Sequence, residues 1–267
     1  MDLKFPKALW HNRELWWRLT QREVLGRYRG SILGIGWSFI TPLAMLAVYT
    51  FVFSQVFKSR WGGLEQAGPL GFAVNLFAGL IVFNLFSECV GRAPGLVVSN
   101  PNYVKKVVFP LEVLGSVVVG SAVFHSITSL LILLVFELIA LRQLPITLVW
   151  LPLVWLPLVL ASLSCTWILS AAGVFLRDIG QLVGVALNML MFLSPIFFPV
   201  SALPEKWQPF LALNPLAQSI EQTRRTVLEG LNPDWRYVVL GSLTGLVVCE
   251  LSFRAFQKSK RAFADVL

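Results

Sequence analysis

The chain has 267 residues, of which 56% are hydrophobic and only 13% are charged. A soluble domain carries about 25% charged residues, and a soluble fold of this length could not hide so much apolar surface from water. The composition excludes a disordered chain, a coiled coil and an ordinary cytosolic enzyme. It predicts an all-α, polytopic membrane protein.

The N-terminal segment, residues 1–29, is polar and basic. It lacks the apolar core and cleavage site of a secretory signal, so the first apolar run is expected to act as the insertion signal. Residues 6–26 are predicted to form one amphipathic helix that lies at the membrane interface, where tryptophan rings and basic side chains are both favoured. Such a helix could guard a cytoplasmic entrance and attract a phosphate headgroup, or it could be a simple topological anchor. Its apolar side carries Leu9, Trp10, Trp16, Trp17 and Val24.

Six apolar runs follow, and a membrane span needs about 20 apolar residues. The fourth run has 34 uncharged residues, more than one straight span requires, and its prolines Pro145, Pro152 and Pro157 predict a bent or late-starting helix. The sixth contains Glu250 and Arg254. The organisation predicted is an interface helix (1–29), a six-span domain (30–257) and a cytoplasmic tail (258–267). The spans are predicted at about 31–57, 70–91, 111–136, 148–176, 179–200 and 237–256.

The longest connection, residues 201–236, precedes the last span. Its centre, from Trp207 to Ile220, is uncharged and is interrupted by Pro209 and Pro215. This stretch is too short to cross a membrane and fits a pair of short external re-entrant or interfacial helices. A plain external loop is the alternative.

The net charge of +8 bears on topology. Lysine and arginine concentrate in cytoplasmic loops, and most of those in this chain lie on one side if both termini are cytoplasmic. We therefore expect a multi-pass membrane protein with both ends in the cytoplasm. A nucleic-acid partner is not expected.

Motifs for catalysis or energy conversion are missing from the sequence. No P-loop, zinc motif or nucleophile elbow occurs, so no catalytic residue, metal site or cofactor is predicted in this chain. His125 falls in the third predicted span, where a packed or hydrogen-bonded imidazole is favoured over a relay. The cysteines Cys89, Cys165 and Cys249 lie in apolar runs and are interpreted as packing residues.

Residues 27–37 read R-Y-R-G-S-I-L-G-I-G-W, and T-P-L follows at 41–43. Together with V-F-P at 108–110, S-P-I at 194–196 and L-N-P-L at 213–216, this pattern resembles the type-2 ABC exporter permeases that export polysaccharides. It is most similar to the membrane subunits of O-antigen (lipopolysaccharide) transporters, and the teichoic acid and capsule subunits are close relatives. The resemblance covers essentially the whole chain.

The resemblance implies a homodimer of six-span subunits, each paired with a separate ATP-binding subunit that holds ATP and Mg²⁺. The implied substrate is a finished glycan on a polyprenyl pyrophosphate lipid. The N-terminal helix is implied to be a gate at the cytoplasmic interface. The short helices that precede the last span are implied to form an external gate. The loops after the second and fourth spans are implied to dock on the ATPase.

Two segments are candidates for that docking. Residues 99–106 can form a turn and a short helix, because an asparagine before a proline suits a turn or cap. The candidates there are Asn100, Tyr103, Val104, Lys105 and Lys106. Arg177 and Asp178 form a second, smaller candidate. An ordinary loop and a local ion pair at a helix end are the respective alternatives.

The substrate candidates lie in and before the first span. Tyr49, Phe53 and Phe57 fall on one helical face, and flat aromatic rings suit the C–H faces of sugars. Lipid contact or helix packing is the alternative and is slightly favoured. Arg27 and Arg29 stand at headgroup depth, where a guanidinium can hold a pyrophosphate in a bidentate manner. Their alternative role is topological.

Four carboxylates lie in or near the spans, and Glu88 and Arg92 are placed to pair at i, i+4. Ionisable groups at membrane depth are functional candidates. An ion-coupled lipid or drug carrier would need them near the midplane, however, and a lipid-modifying enzyme would need them clustered at one face. The sequence supplies neither pattern, so export driven by a partner ATPase is favoured. The remaining three carboxylates are Glu112, Glu137 and Glu250.

Overall fold

The computed structural model describes residues 4–52, 68–105, 109–141, 144–200, 204–208, 211 and 214–266. Within these ranges the chain forms helices, turns and bends and no β-strand. Five helical segments are long and apolar enough to cross a membrane, and a sixth apolar helix is shorter. The prediction of an all-α polytopic membrane protein is therefore confirmed.

The N-terminal region forms two helices instead of the single helix predicted. These are α1 (Lys4–His11) and α2 (Arg13–Arg27), and Asn12 separates them. The Asn12 amide donates 2.8 Å to the carbonyl of Ala8, a local side-chain bond of the kind that competes with helix continuation. The predicted apolar side is also divided, since Val24 is buried whereas Trp10 and Trp17 are exposed.

The first three long helices are α3 (Trp37–Phe51), α4 (Gly68–Arg92) and α6 (Glu112–Leu141). A 3₁₀ turn at Gly34–Gly36 precedes α3, and residues 53–57 of the first predicted span lie outside the described residues. Between α4 and α6 the chain forms a 3₁₀ turn at Ala93–Gly95 and the short helix α5 (Pro101–Lys105).

The fourth span begins late, as its prolines predict. A 3₁₀ segment at Ile146–Trp150 leads into α7 (Leu151–Phe175), with one proline in the first turn and Pro157 inside the helix. The next helix, α8 (Ile179–Leu193), has only 15 residues and ends where Ser194 is extended before Pro195. It is therefore shorter than the predicted span 179–200, which would have crossed the bilayer unaided.

Two helices follow the long connection. The first, α9 (Pro215–Val227), begins at Asn214, whose side chain accepts a hydrogen bond from the Leu216 amide. The second, α10 (Trp235–Ser259), is the last long helix. Helix α9 packs against α4 and α7, so this part of the predicted re-entrant pair is folded into the bundle and is not a plain loop.

Helix α4 forms the centre of the bundle. It packs against α3, α6, α7 and α9, and most of its residues are buried. By contrast, α3 buries only Ser38 and Leu46, and α8 buries only Val183. In a membrane protein such exposed apolar faces contact lipid or another protein chain, so α3 and α8 form the outer surface of the bundle.

The first and last described helices lie at one end of the bundle. A 3₁₀ turn at Lys260–Ala262 and the helix α11 (Phe263–Val266) follow α10, and α11 packs against α5 and α7. Phe263 is fully buried beside Phe256. Helix α1 packs against α10, so the N-terminal helices, α5 and the C-terminal residues share this end.

Candidate functional site

A cavity of about 700 Å³ opens among α2, α3, α4 and α6. Its apolar lining includes Trp37, Met45 and Phe77. Most of the other lining residues are polar or charged. The polar and charged residues that line it are Arg27, Tyr28, Ser38, Thr41, Tyr49, Asn84, Ser87, Glu88, Arg92, His125, Ser126 and Ser129.

A charged cluster forms one wall of the cavity, with Glu88 at its centre. The Arg27 Nη2 atom lies 2.5 Å from Oε1 of Glu88, and the Arg92 Nη1 atom lies 3.7 Å from the same oxygen. Arg92 also pairs with Glu23 of α2. The cluster links α2 to α4, and the formal charges of its two arginines and two glutamates balance.

His125 completes the cluster from α6. Its Nδ1 atom lies 3.1 Å from Oε2 of Glu88 and 3.0 Å from Nη1 of Arg27. A ring nitrogen donates to the first or accepts from the second, not both, so a change of tautomer would exchange one bond for the other. The predicted hydrogen-bonded imidazole is found, and its partners are ionic.

Two polar atoms of the cluster are buried without a hydrogen-bond partner among the described residues: Nε2 of His125 and Nη1 of Arg92. A buried polar atom without a partner costs about 1–3 kcal/mol. Both residues line the cavity, so a hydroxyl or an anionic oxygen placed there would relieve that cost.

The structure brings together some of the predicted substrate residues. Arg27 and Tyr49 both line the cavity, whereas Arg29 is exposed and does not line it. Phe53 and Phe57 lie outside the described residues. Arg27 is paired with Glu88, so an incoming anion would have to compete with that carboxylate.

The face of α3 that carries Tyr49 is the face that lines the cavity. Thr41 and Met45 occupy the two preceding turns of the same face, and both are lining residues. The Tyr49 side chain is half-buried against the core. Tyr49, the first residue of the predicted stripe, therefore lines the cavity.

The turn between α2 and α3 explains the glycines of the R-Y-R-G-S-I-L-G string. Gly30 has φ +84° and Gly34 has φ +51°, and this left-handed region is disfavoured for other residues. The Ser31 hydroxyl donates 2.9 Å to the carbonyl of Tyr28. Tyr28 is half-buried here, and burial together with the nearby Glu88 carboxylate raises its pKa above 10.

The predicted docking segment forms the short helix α5, but its apolar face packs largely against its own chain. The Tyr103 ring stacks on Phe109 with 4.4 Å between centroids, and its hydroxyl accepts a 3.1 Å hydrogen bond from Arg22 of α2. Val104 is half-buried. Lys105 is exposed, and Lys106 lies outside the described residues.

The Asn100 side-chain amide donates 2.9 Å back to the carbonyl of Leu96, and the Asn100 backbone carbonyl accepts a 3.1 Å hydrogen bond from the Tyr103 amide. Arg177 and Asp178 are both exposed in the turn between α7 and α8. This turn is close to the 3₁₀ turn at Ala93–Gly95 that precedes α5, because α7 and α8, on either side of it, both pack against that 3₁₀ turn. The two predicted docking segments therefore lie at the same end of the bundle.

A buried arginine organises the other end. Arg224 of α9 donates to the carbonyls of Asn75, Pro195 and Ile196, with distances of 3.1, 2.6 and 3.0 Å. The Asn214 amide donates 3.1 Å to the Ser194 hydroxyl. The S-P-I and L-N-P-L motifs are thus joined, and they fasten α9 to α4 and to the end of α8.

A second, apolar groove of about 740 Å³ lies between α2 and the helices α6 and α7. Trp16, Val24 and Phe124 are among its lining residues. The Trp16 indole donates 3.0 Å to the Ser116 carbonyl, so this side chain is fixed across the groove. Val24 and Phe124 lie within one turn of Arg27 and His125, so the groove adjoins the polar cavity.

Sequence reasoning missed the cluster because its members are far apart in the chain. Arg27 and His125 are 61 and 37 residues from Glu88. The i, i+4 spacing of Glu88 and Arg92 was the one visible signal. Arg224 gave no signal, since it reads as one of several charges in an external loop.

Comparison with known proteins gives a family match over most of the chain. The family model described as ABC-2 type transporter matches residues 14–228. This range includes all of α2 except its first residue, every described residue that lines the polar cavity, α5 and α9.

Individual relatives align over nearly the full length. An O-antigen export system permease protein from Myxococcus xanthus is 28% identical over 266 residues, covering 98% of this chain and 99% of the relative. A protein of the same name from Klebsiella pneumoniae is 25% identical over 268 residues, covering all of both chains. A polysialic acid transport protein from Escherichia coli is 26% identical over 225 residues, covering 79% and 80%.

Proposed function

The chain belongs to the ABC-2 type transporter family, and on that premise we propose that it is the permease subunit of an ATP-driven exporter of a lipid-linked polysaccharide of the O-antigen type. The family match is the observation that carries this proposal, because it spans the cavity and both docking segments. Relatives aligned along nearly their whole length are O-antigen permeases. A capsule exporter is the closest alternative, since other relatives are capsule and polysialic acid transport proteins.

We propose that ATP and Mg²⁺ bind to a separate subunit and that this chain holds no cofactor. The ATPase would contact the end of the bundle where the exposed Lys105, Arg177 and Asp178 lie. Tyr103 would support this surface from within the bundle, through its stacking on Phe109 and its hydrogen bond from Arg22. This end would face the cytoplasm of a bacterial inner membrane with both termini, and the basic residues of the N-terminal helices and the C-terminal segment favour that orientation.

We propose that the polar cavity receives the substrate. Hydroxyl and amide side chains suit sugar hydroxyls, and Tyr49 offers a flat face to a sugar ring. Arg27 would engage a pyrophosphate after exchanging its bond with Glu88. Two chains would assemble through outer surfaces such as α3 and α8, whose apolar faces are exposed.

The test is reconstitution with the candidate ATPase in vesicles, followed by measurement of ATP hydrolysis and of labelled glycan appearing on the opposite side. The purified chain alone should hydrolyse no ATP, and the pair should hydrolyse ATP and export the lipid-linked glycan. Appreciable hydrolysis by the rigorously purified chain would contradict the division of labour. An ion gradient that drives export without ATP would favour a carrier instead.

Crosslinking tests the docking surface and the orientation together. Cysteines placed at Lys105 and Arg177, in a variant without the native cysteines, should crosslink to the ATPase subunit. The exposed Glu229 lies beyond α9, towards the other end, and a cysteine there should react with external reagents. The reverse pattern would contradict the proposed topology.

The paired change Arg27→Lys with Arg29→Lys tests the proposed anion contact. Lysine keeps the positive charge but loses the planar fork. The variant should insert correctly, pair with its ATPase and export less glycan. Normal export with unchanged affinity for the lipid-linked substrate would remove Arg27 from the site and would contradict any anion contact by Arg29.

A further inference from the structure

Glu250 is a charged side chain that the proposed function does not use. It lies in α10, is 0% exposed and accepts hydrogen bonds from another part of the chain. Its Oε2 atom accepts hydrogen bonds from the backbone amides of Lys4, at 2.8 Å, and Phe5, at 3.1 Å. Its Oε1 atom accepts a 2.5 Å hydrogen bond from the Nε atom of Arg254. Each of these donors favours the ionised carboxylate.

The two amides belong to the first turn of α1, which begins at Lys4. The first four amides of a helix have no acceptor within the helix, and a negative charge is favourable at this end. A capping group usually comes from the preceding residue. Here the carboxylate of the last long helix, more than 240 residues away, supplies it.

Apolar packing completes this junction. Phe5 is 6% exposed, and its ring meets the edge of Trp167 with 6.0 Å between centroids. Trp167 in turn packs on Phe253 of α10, at 5.2 Å. The start of α1 is therefore inserted between α7 and α10, with its amides on Glu250 and its aromatic ring on Trp167.

The two halves of the junction depend on each other. Without α1, the Glu250 carboxylate would keep only Arg254 among these three donors, and Phe5 would lose its buried site. Without the carboxylate, two amides of the first turn would lose their acceptor, and a hydrogen bond to a charged group is worth more than a neutral one.

We propose that Glu250 is a positioning residue that fastens the N-terminal helix α1 to the last membrane-spanning helix, so that this one carboxylate controls the docking of α1. The docking itself does not depend on the proposed function. Its effect on export does rest on the proposed function, because the family resemblance implies that the N-terminal helices act as a cytoplasmic gate and because Arg27 lies at the end of α2.

Hydrogen–deuterium exchange on the full-length chain, assembled with its ATPase in lipid nanodiscs, tests the docking directly. In Glu250→Gln, amides of residues 4–11 should exchange about tenfold faster, while α4 and α6 keep their protection. The matched control is Glu14→Gln, because Glu14 is an exposed carboxylate on α2. Unchanged exchange in α1 of the Glu250 variant would overturn the proposal.

A second variant leaves every membrane-spanning helix unaltered. Lys4→Pro removes the amide that donates to Glu250, and proline is tolerated in the first turn of a helix. Lys4→Ala removes the same side-chain charge but keeps the amide. Exchange in α1 should be faster in Lys4→Pro than in Lys4→Ala, and equal rates would overturn the proposal even if Glu250→Gln failed to assemble.

The exchange measurement requires no substrate, so it separates this proposal from the proposed function. If the wild-type complex exports no polysaccharide, the proposed function fails and the docking result still stands. If export is normal in the wild type but α1 is not released by either variant, the docking proposal alone fails. Reduced export in both variants, with assembly intact, would connect the docking to the gate.

Discussion

The two ends of the bundle use arginine in opposite ways. Arg224, at the end where α9 packs, is 2% exposed and donates to three backbone carbonyls. Arg27, at the other end, meets side chains that also carry charge or can take a proton, and its side chain is 40% exposed. A cation fixed by backbone carbonyls has no second arrangement available without unfolding its surroundings, whereas one held by a glutamate and a histidine can change partners.

The comparison assigns different roles to the two ends. The junction at Arg224 joins α4, α8 and α9 into a scaffold. The cluster at Glu88 borders a cavity and has two buried polar atoms that lack a hydrogen-bond partner among the described residues, so it is suited to a ligand or a moving helix. The predictions below test this division, beginning with the largest expected effect.

The largest effect is expected at the scaffold. Arg224→Met should lower the free energy of unfolding by about 3 kcal/mol or more, because three buried carbonyls lose their donor. Thermal unfolding in detergent should show the loss. Arg225→Met is the matched control, since Arg225 is exposed and donates to one carbonyl, that of Asn232. Equal destabilisation by the two variants would abolish the distinction between the ends.

At the cluster around Glu88, we expect a large loss of export with only a small change in the free energy of unfolding. Glu88→Gln keeps the shape of the side chain but removes the charge that faces Arg27 and Arg92. Export should fall about tenfold or more, while the unfolding free energy changes by roughly 1–2 kcal/mol. Export assays and thermal unfolding on the same preparations would check this, and normal export would remove the cluster from the pathway.

A smaller loss of export is expected at Tyr49. Tyr49→Ala removes the ring from the cavity wall and should lower export severalfold with the assembly intact, whereas Tyr49→Phe should retain most activity if the flat face is what matters. Val48→Ala is the control, because Val48 is exposed and does not line the cavity. If the alanine variant exports normally, the ring contributes only to packing.

The smallest effect concerns the turn that carries the cluster's arginine. Gly30→Ala should cost about 1 kcal/mol, since alanine is strained at φ +84°. Gly26→Ala, inside α2 with open space around its Cβ, should be neutral or stabilising by up to about 1 kcal/mol. Thermal unfolding compares the stabilities of the two variants. If Gly26→Ala were less stable than Gly30→Ala, the turn would not be rigid.

Part of this arrangement is visible in the sequence. Apolar run lengths predicted the long helices, and the prolines predicted the late start of α7. The spacing of Glu88 and Arg92 predicted their pairing on α4. These features are local, because a span or a helical pair is specified by residues a few positions apart.

The rest depends on contacts between distant segments. The partners of Glu88 on α2 and α6, the carbonyls around Arg224 and the amides around Glu250 come from different helices. The length of α8 also escaped prediction, since Ser194 and Pro195 end it within an apolar run that continues beyond them. Composition cannot separate such a break from a continuous span.

The contact between Glu250 and the first turn of α1 has a consequence for the order of synthesis. Helix α1 emerges from the ribosome before α10. The Glu250 carboxylate, which accepts hydrogen bonds from the α1 amides, is synthesised 245 residues after Phe5. At about 5–20 residues per second, this interval lasts roughly 10–50 seconds. During that time α1 has to wait at the membrane surface with Phe5 unburied. Its docking is therefore among the last events of biogenesis, and a chain truncated before Glu250 would insert its earlier spans and leave α1 unfastened.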